Sequence, residues 1–264
     1  YFSSLFLSLG FSLIDSVKIL MISSFIFSGV FMYLWIKQLW GEKAGFISGI
    51  LYLFAPYRFV DLYVRGALGE CVAFMFLPMI LYFMVKRKFL GISLSLAGLI
   101  LSHNMLSLIF LPVIFGYMGY IIYVSKEKLH SAIYYLPSAI LGFVISAYFW
   151  LPAVFEAKYT LRDIVTKGVI GGFENFNRFI LPSWSYGGSG EFSVQVGLIQ
   201  WLIVLMAPLI IFIFRKKKQS IWIFLLWLMI LFIVSLFFML PISREIYLNM
   251  PLLKNFQFVW RWLS

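Results

Sequence analysis

Residues 105–128 read MLSLIFLPVIFGYMGYIIYVSKEK. The first twenty, 105–124, carry no charge, and the run stops at Lys126, Glu127 and Lys128. At 1.5 Å per residue, a helix of that length spans about 30 Å, the thickness of a bilayer's hydrocarbon core. The whole chain has the same character. Only 12% of its residues are charged, where a soluble domain carries about 25%. With 63% hydrophobic and 20% aromatic residues, it has too few charges to build a water-facing surface. The bilayer is its solvent.

Charged residues delimit eight apolar segments, at roughly 16–36, 44–56, 71–85, 89–101, 105–124, 132–151, 196–214 and 221–240. They predict an all-α fold, a polytopic transmembrane bundle of about eight spans. Residues 1–13 are apolar too, and would close an earlier span or lie in the interface. With Arg215, Lys216, Lys217 and Lys218 placed in the cytoplasm, counting crossings puts Lys126/Lys128, Lys86/Arg87/Lys88 and Lys37/Lys43 on the same side. Eleven of the 21 basic residues fall in these four short turns, with only Glu42 and Glu127 beside them. That is the positive-inside pattern.

The net charge of +11 would suggest nucleic acid in a soluble protein. Here the cations sit in short clusters between apolar runs, so the expected partner is membrane lipid and no nucleic acid. Cys71 is the one cysteine, which excludes an intrachain disulfide. Two histidines and one cysteine cannot make a structural zinc site. The chain begins at Tyr1 without a signal peptide and stops at Ser264. Residues 1–264 are therefore expected to be a single transmembrane domain, a fragment truncated at both ends.

Parity places residues 57–70, 102–104, the segment 152–195 and the tail 241–264 on the extracytoplasmic side. The tail reads as an interfacial segment. Segments 44–56 and 89–101 are only about 20 Å long as helices, short of a full span. Either the helices continue through the polar motifs that follow, or the outer face has a depression. Both options put Arg58, Asp61, His103 and Asn104 at or below the outer interface.

The densest polar motif is LFAPYRFVDLYVRGALGE at 53–70. If helical, it places Arg58, Asp61 and Arg65 on one face. This is either an ion-pair ladder or an anion site, with two arginines for a phosphate and Asp61 as base or metal ligand. Glu70 joins only if Gly66 or Gly69 bends the chain. Ser102-His103-Asn104 reads as a capped turn or as a proton shuttle facing the same place. Trp184 and Tyr186, in the glycine-rich stretch of the long outer segment, are interfacial anchors or a sugar-stacking pair. Arg261 would meet a lipid phosphate or headgroup. Nucleotide-type phosphate loops and HExxH are absent. The centres of the last four spans hold no Asp, Glu, Lys or Arg, which weighs against an ion-coupled transporter.

Residues 53–70, with LSHN at 101–104, AYFWLPA at 147–153 and LKNFQFVWR at 253–261, resemble a family of bacterial membrane proteins labelled "6-pyruvoyl-tetrahydropterin synthase-related". Val259 departs from the family's usual Phe-Pro-Trp-Arg. The pterin label implies a zinc-binding histidine cluster, which two distant histidines do not supply. The architecture resembles the GT-C glycosyltransferase superfamily, which implies an extracytoplasmic enzyme of the bacterial inner membrane using a polyprenyl-phosphate-linked sugar. On that resemblance Asp61, Glu70 and His103 are the candidate catalytic residues, with a divalent cation as a possible cofactor. Arg58, Arg65, Asn104, Trp184, Tyr186 and Arg261 are the candidate substrate-binding residues. The resemblance also places a key Asp in the first outer loop, upstream of Tyr1. A lipid or polysaccharide flippase and a non-catalytic assembly partner are the alternatives.

Overall fold

The computed structural model describes residues 1–156, 159, 171–182, 193–214, 219–250, 253 and 258–264. Among them the regular structure is helical, with no strand. The helices are α1 (Phe2–Ser8), α2 (Leu13–Trp40), α3 (Glu42–Leu53), α4 (Pro56–Phe59), α5 (Leu68–Val85), α6 (Phe89–Ser102), α7 (Asn104–Val124), α8 (Lys128–Ile145), α9 (Ala147–Phe155), α10 (Leu198–Phe214), α11 (Gln219–Met239) and α12 (Arg244–Asn249). Among the described residues, five are long and apolar enough to cross a membrane: α2, α5, α7, α8 and, from Trp222, α11. α6 and Leu198–Ile213 are shorter apolar helices.

Both segments expected to be short are short helices that end at the polar motifs. α3 stops at Leu53 and α6 at Ser102. The run at 132–151, read as one span, is two helices. Ser146 turns its hydroxyl onto Gly142 O (3.0 Å) and Phe143 O (3.2 Å), and α9 starts at the next residue. A serine back-bonding to the preceding turn bends or interrupts a helix in this way.

The chain forms two compact units, one of residues 1–54 and 61–155, the other of 55–60 and 156–264. In the first, α2 and α3 meet through small residues. Gly45 and Gly49 are four apart on α3. A Cβ on Gly45 would lie 2.7 Å from Tyr33 O, and one on Gly49 3.2 Å from Gly29 O. Lipid is as apolar as leucine, so helices in it associate by close backbone approach, which small residues permit. α5 and α6 are antiparallel, with the Phe83 ring over Gly91 and the Phe76 ring over Gly98. α6 and α8 run parallel, joined where Ser93 Oγ donates to Ser138 O at 2.8 Å. Trp35 Nε1 donates to Tyr117 OH (3.1 Å), tying α2 to α7, and Phe31 packs on Tyr82 and Phe83 of α5. These pairings put the basic turns at 37–43, 86–88 and 125–128 at one end of the unit. The polar segments at 61–67 and 102–104 lie at the other. The fourth basic turn, Arg215 to Lys218, lies outside the described residues.

The second unit is built around Phe179, Val194 and Met239, with Trp201, Leu236, Leu240, Trp260 and Trp262 packed on them. Trp201 Nε1 donates to Phe179 O at 3.0 Å, and Trp262 Nε1 donates to Tyr247 OH at 2.5 Å. Gly172 (φ +84°) lies so close under the Trp260 ring that a Cβ would come within 2.2 Å of it.

Candidate functional site

After α4 the chain leaves the α-helical path. Residues 60–65 form one π-helical turn, Val60–Arg65, with Asp61 and Arg65 on it. Such turns are rare and are frequently found at functional sites. Gly66 then takes a left-handed conformation (φ +58°), which glycine adopts without steric cost. Ala67 N donates to Asp61 O (2.9 Å), closing the bend. α5 begins two residues after Gly66 and carries Glu70 in its first turn, where the positive end of the helix dipole favours a carboxylate. Gly66 thus supplies the bend that lets Glu70 join Asp61 and Arg65. Gly69 has a second task. A Cβ there would lie 2.7 Å from Ser102 O and 3.3 Å from His103 Cδ2, so its bareness lets α5 approach the 102–104 turn.

One guanidinium holds both carboxylates. Arg65 Nη1 and Nη2 donate to Glu70 Oε2 (2.8 Å) and Oε1 (2.9 Å), a two-pronged pair, and Nη1 also donates to Asp61 Oδ1. His103 stands between α6 and α7 in extended backbone, with Nε2 3.6 Å from Glu70 Oε1. Its Nδ1 accepts the Leu106 N–H at 3.1 Å and caps α7. The neutral ring therefore carries its proton on Nε2, facing Glu70. Ser107 Oγ donates to His103 O (2.7 Å) and Leu99 O (2.9 Å) and fixes the turn.

Asp61 and Glu70 are buried at 0% and 1% exposure, while Arg65 and His103 keep 16% and 19% of their side chains open. Taking carboxylates out of water is costly unless they are paired and hydrogen-bonded. Glu70 has both oxygens on Arg65. Asp61 Oδ2 is buried and hydrogen-bonded by no described group. Asp61 lies outside the five span-length helices. Burial pushes its carboxyl up to about 8; the Glu70 charge acts in the same direction and Arg65 opposes it. The four groups can hold and move a proton in a place where water is scarce.

The remaining candidates are placed as follows. Arg58 is buried on α4, in the second unit. Asn104 is exposed, and its Oδ1 accepts the Met105 N–H at 2.8 Å. Arg261, also in the second unit, lies over the Phe258 ring at 5.3 Å. Trp184 and Tyr186 fall outside the described residues. No three His, Cys, Asp or Glu side chains converge to hold a metal ion among the described residues. His103 caps the start of α7, and His130 is in α8 beyond its far end, about 30 Å away along that helix. The histidine cluster of a soluble pterin synthase is therefore not formed by this chain's histidines. Sequence reasoning missed the π-turn, the fit of Gly69 against Ser102 and the clamp by Ser107. Only the glycine spacing in Gly66-Ala67-Leu68-Gly69-Glu70 signalled any of it.

These features define a polytopic helical membrane protein with a buried carboxylate–arginine–histidine cluster at one end of its first unit. A family model described as "6-pyruvoyl-tetrahydropterin synthase related domain; membrane protein" matches residues 6–264, and the chain belongs to that family. No curated protein and no solved structure matches it.

Proposed function

We propose that this chain is the membrane part of a glycosyltransferase that takes a sugar from a polyprenyl-phosphate-linked donor at the extracytoplasmic face, in a GT-C-like bundle of about eight spans. The observation that supports this reading is the buried cluster of Asp61, Arg65, Glu70 and His103 at the end opposite the basic turns. Basic turns face the cytoplasm by the positive-inside rule, which puts the cluster outside. Helices α3 and α6, of 12 and 14 residues, reach about 18 and 21 Å. Their polar ends would then sit below the outer surface, in a depression that a lipid-linked sugar enters sideways. Asp61 accepts the proton of the acceptor hydroxyl through Oδ2, the buried oxygen that no described group hydrogen-bonds. Glu70 is locked to Arg65 and positions Asp61. His103 offers Nε2–H to the leaving group.

Full-length protein in proteoliposomes, given a polyprenyl-phosphate sugar, should transfer or hydrolyse it. Asp61→Asn should lower the rate by about 10²–10⁴-fold, the usual worth of a general base. Full activity in both Asp61→Asn and Glu70→Gln would overturn these roles.

A second reading, a non-catalytic membrane assembly partner, is favoured by one feature: Arg65 has its fork on carboxylates, as in a structural ion-pair ladder. Under it no preparation turns over the donor, and Asp61→Asn changes assembly and stability alone. The flippase reading has no such support, because the midsections of α7, α8 and α11 carry no charged residue.

A further inference from the structure

We propose that the basic end of the first unit is a binding site for the headgroup of an anionic phospholipid, built from the turns at 86–88 and 125–131. Two turns distant in sequence are fastened together there. Arg87 Nη2 donates to Ser131 Oγ (3.1 Å), across 44 residues, and Ser131 Oγ donates to Ser125 Oγ (2.8 Å). The Tyr134 hydroxyl donates to Arg87 O, and the Arg87 guanidinium lies 6.0 Å from the centre of that same ring. Arg87 has φ +51°, the one non-glycine residue with positive φ among those described. A bulky side chain takes that conformation only where its surroundings hold it, and here Ser131 and Tyr134 do.

The result is a fixed, exposed patch of Lys86, Arg87, Lys88, Lys126 and Lys128, with Glu127 as its one acid. None of these six makes an ion pair with a described residue. The turn at 37–43, at the same end, differs: Lys37 Nζ is 2.5 Å from Glu42 Oε1 and its charge is spent internally. That turn keeps one other cation, Lys43, against the five of this patch. Such basic sets beside membrane helices recognise phosphate-bearing headgroups.

The apolar surface next to the patch argues for a lipid over a soluble anion. α6 and α8 start at these turns and run parallel. Each leads away with exposed apolar residues at helical spacing, Leu90 and Leu94 on one, Leu129, Ile133 and Ile140 on the other. A headgroup on the cations places its acyl chains along these rows. This inference does not depend on the proposed transferase activity.

The test is native mass spectrometry of the full-length detergent-purified protein, titrated with phosphatidylglycerol, phosphatidylcholine or inorganic phosphate. Phosphatidylglycerol adducts should outlast the others. Lys86→Gln with Lys88→Gln, Lys126→Gln and Lys128→Gln should cut phosphatidylglycerol retention by about tenfold or more, each cation near an anionic membrane surface being worth several-fold. Lys37→Gln with Lys43→Gln should leave it unchanged. A second variant, Ser131→Ala with Tyr134→Phe, keeps every charge and frees Arg87; it should bind several-fold more weakly, and it decides the matter if the charge variant fails to insert. Equal retention of the two lipids overturns the proposal. So does an equal loss in the 37–43 control, or competition by phosphate as effective as that by lipid.

Discussion

The two ends of the first unit treat charge in opposite ways. At one, Asp61 and Glu70 are drawn inward onto Arg65, with His103 standing 3.6 Å from Glu70. At the other, Lys86, Arg87, Lys88, Lys126 and Lys128 stand exposed, with no carboxylate among the described residues paired to them. Exposed cations keep their water and need no partner. Buried carboxylates need one, and a single arginine serves two of them. The first arrangement makes stability hostage to individual side chains; the second leaves stability indifferent and charge available to a ligand.

The sharpest way to break this contrast is Arg65→Ala. It strands Glu70 and Asp61 in the interior, and removing one partner of a buried pair typically destabilises by about 3–5 kcal/mol. The largest drop in melting temperature in detergent is expected here, with partial recovery in Arg65→Lys. If Arg65→Ala melts with the parent, the two ends are not different in kind.

Protonation offers a gentler probe. The native Asp61 carboxyl is raised from 3.8 to about 8, mainly by burial. Between those values the folded chain holds a proton that the unfolded chain has released. Stability at this group is therefore complete below about pH 4, falls as pH rises and levels off above about pH 8. Asp61→Asn should flatten that slope in melting curves taken between about pH 5 and pH 9. It should also abolish any rise in activity through about pH 8, a change that a lost structural contact alone would not produce.

The class of fold was legible because it depends on run length and on where cations fall. Residues 105–124 are charge-free, and the basic clusters at 37–43, 86–88 and 125–128 do lie at one end. Glu70's place in the cluster was legible as a condition, met by Gly66 at φ +58°. The π-turn was not, since Val60 to Arg65 would fit an α-helix equally well by composition. The break at Ser146 was hidden because one serine in an apolar run is an ordinary span residue until its hydroxyl takes a backbone carbonyl. The union of Arg87 with Ser131 follows from α6 and α8 packing in parallel, which no local pattern encodes.

The smallest effect is expected from Arg87→Gly, at the exposed end. Glycine relieves the left-handed backbone at this position, a gain of roughly 1 kcal/mol. The substitution also removes the hydrogen bond to Ser131, a loss of about 0.5–1.5 kcal/mol. The two nearly cancel, so thermal stability should stay within about 0.5 kcal/mol of the parent, as for most surface substitutions. Phosphatidylglycerol retention should still fall, because the guanidinium is gone. A variant that melts normally but holds the lipid poorly would separate the two kinds of charge in one measurement. One that melts early would mean that Arg87, for all its exposure, clamps α8 to the turn before α6 through Ser131, and that the exposed end also relies on pairing.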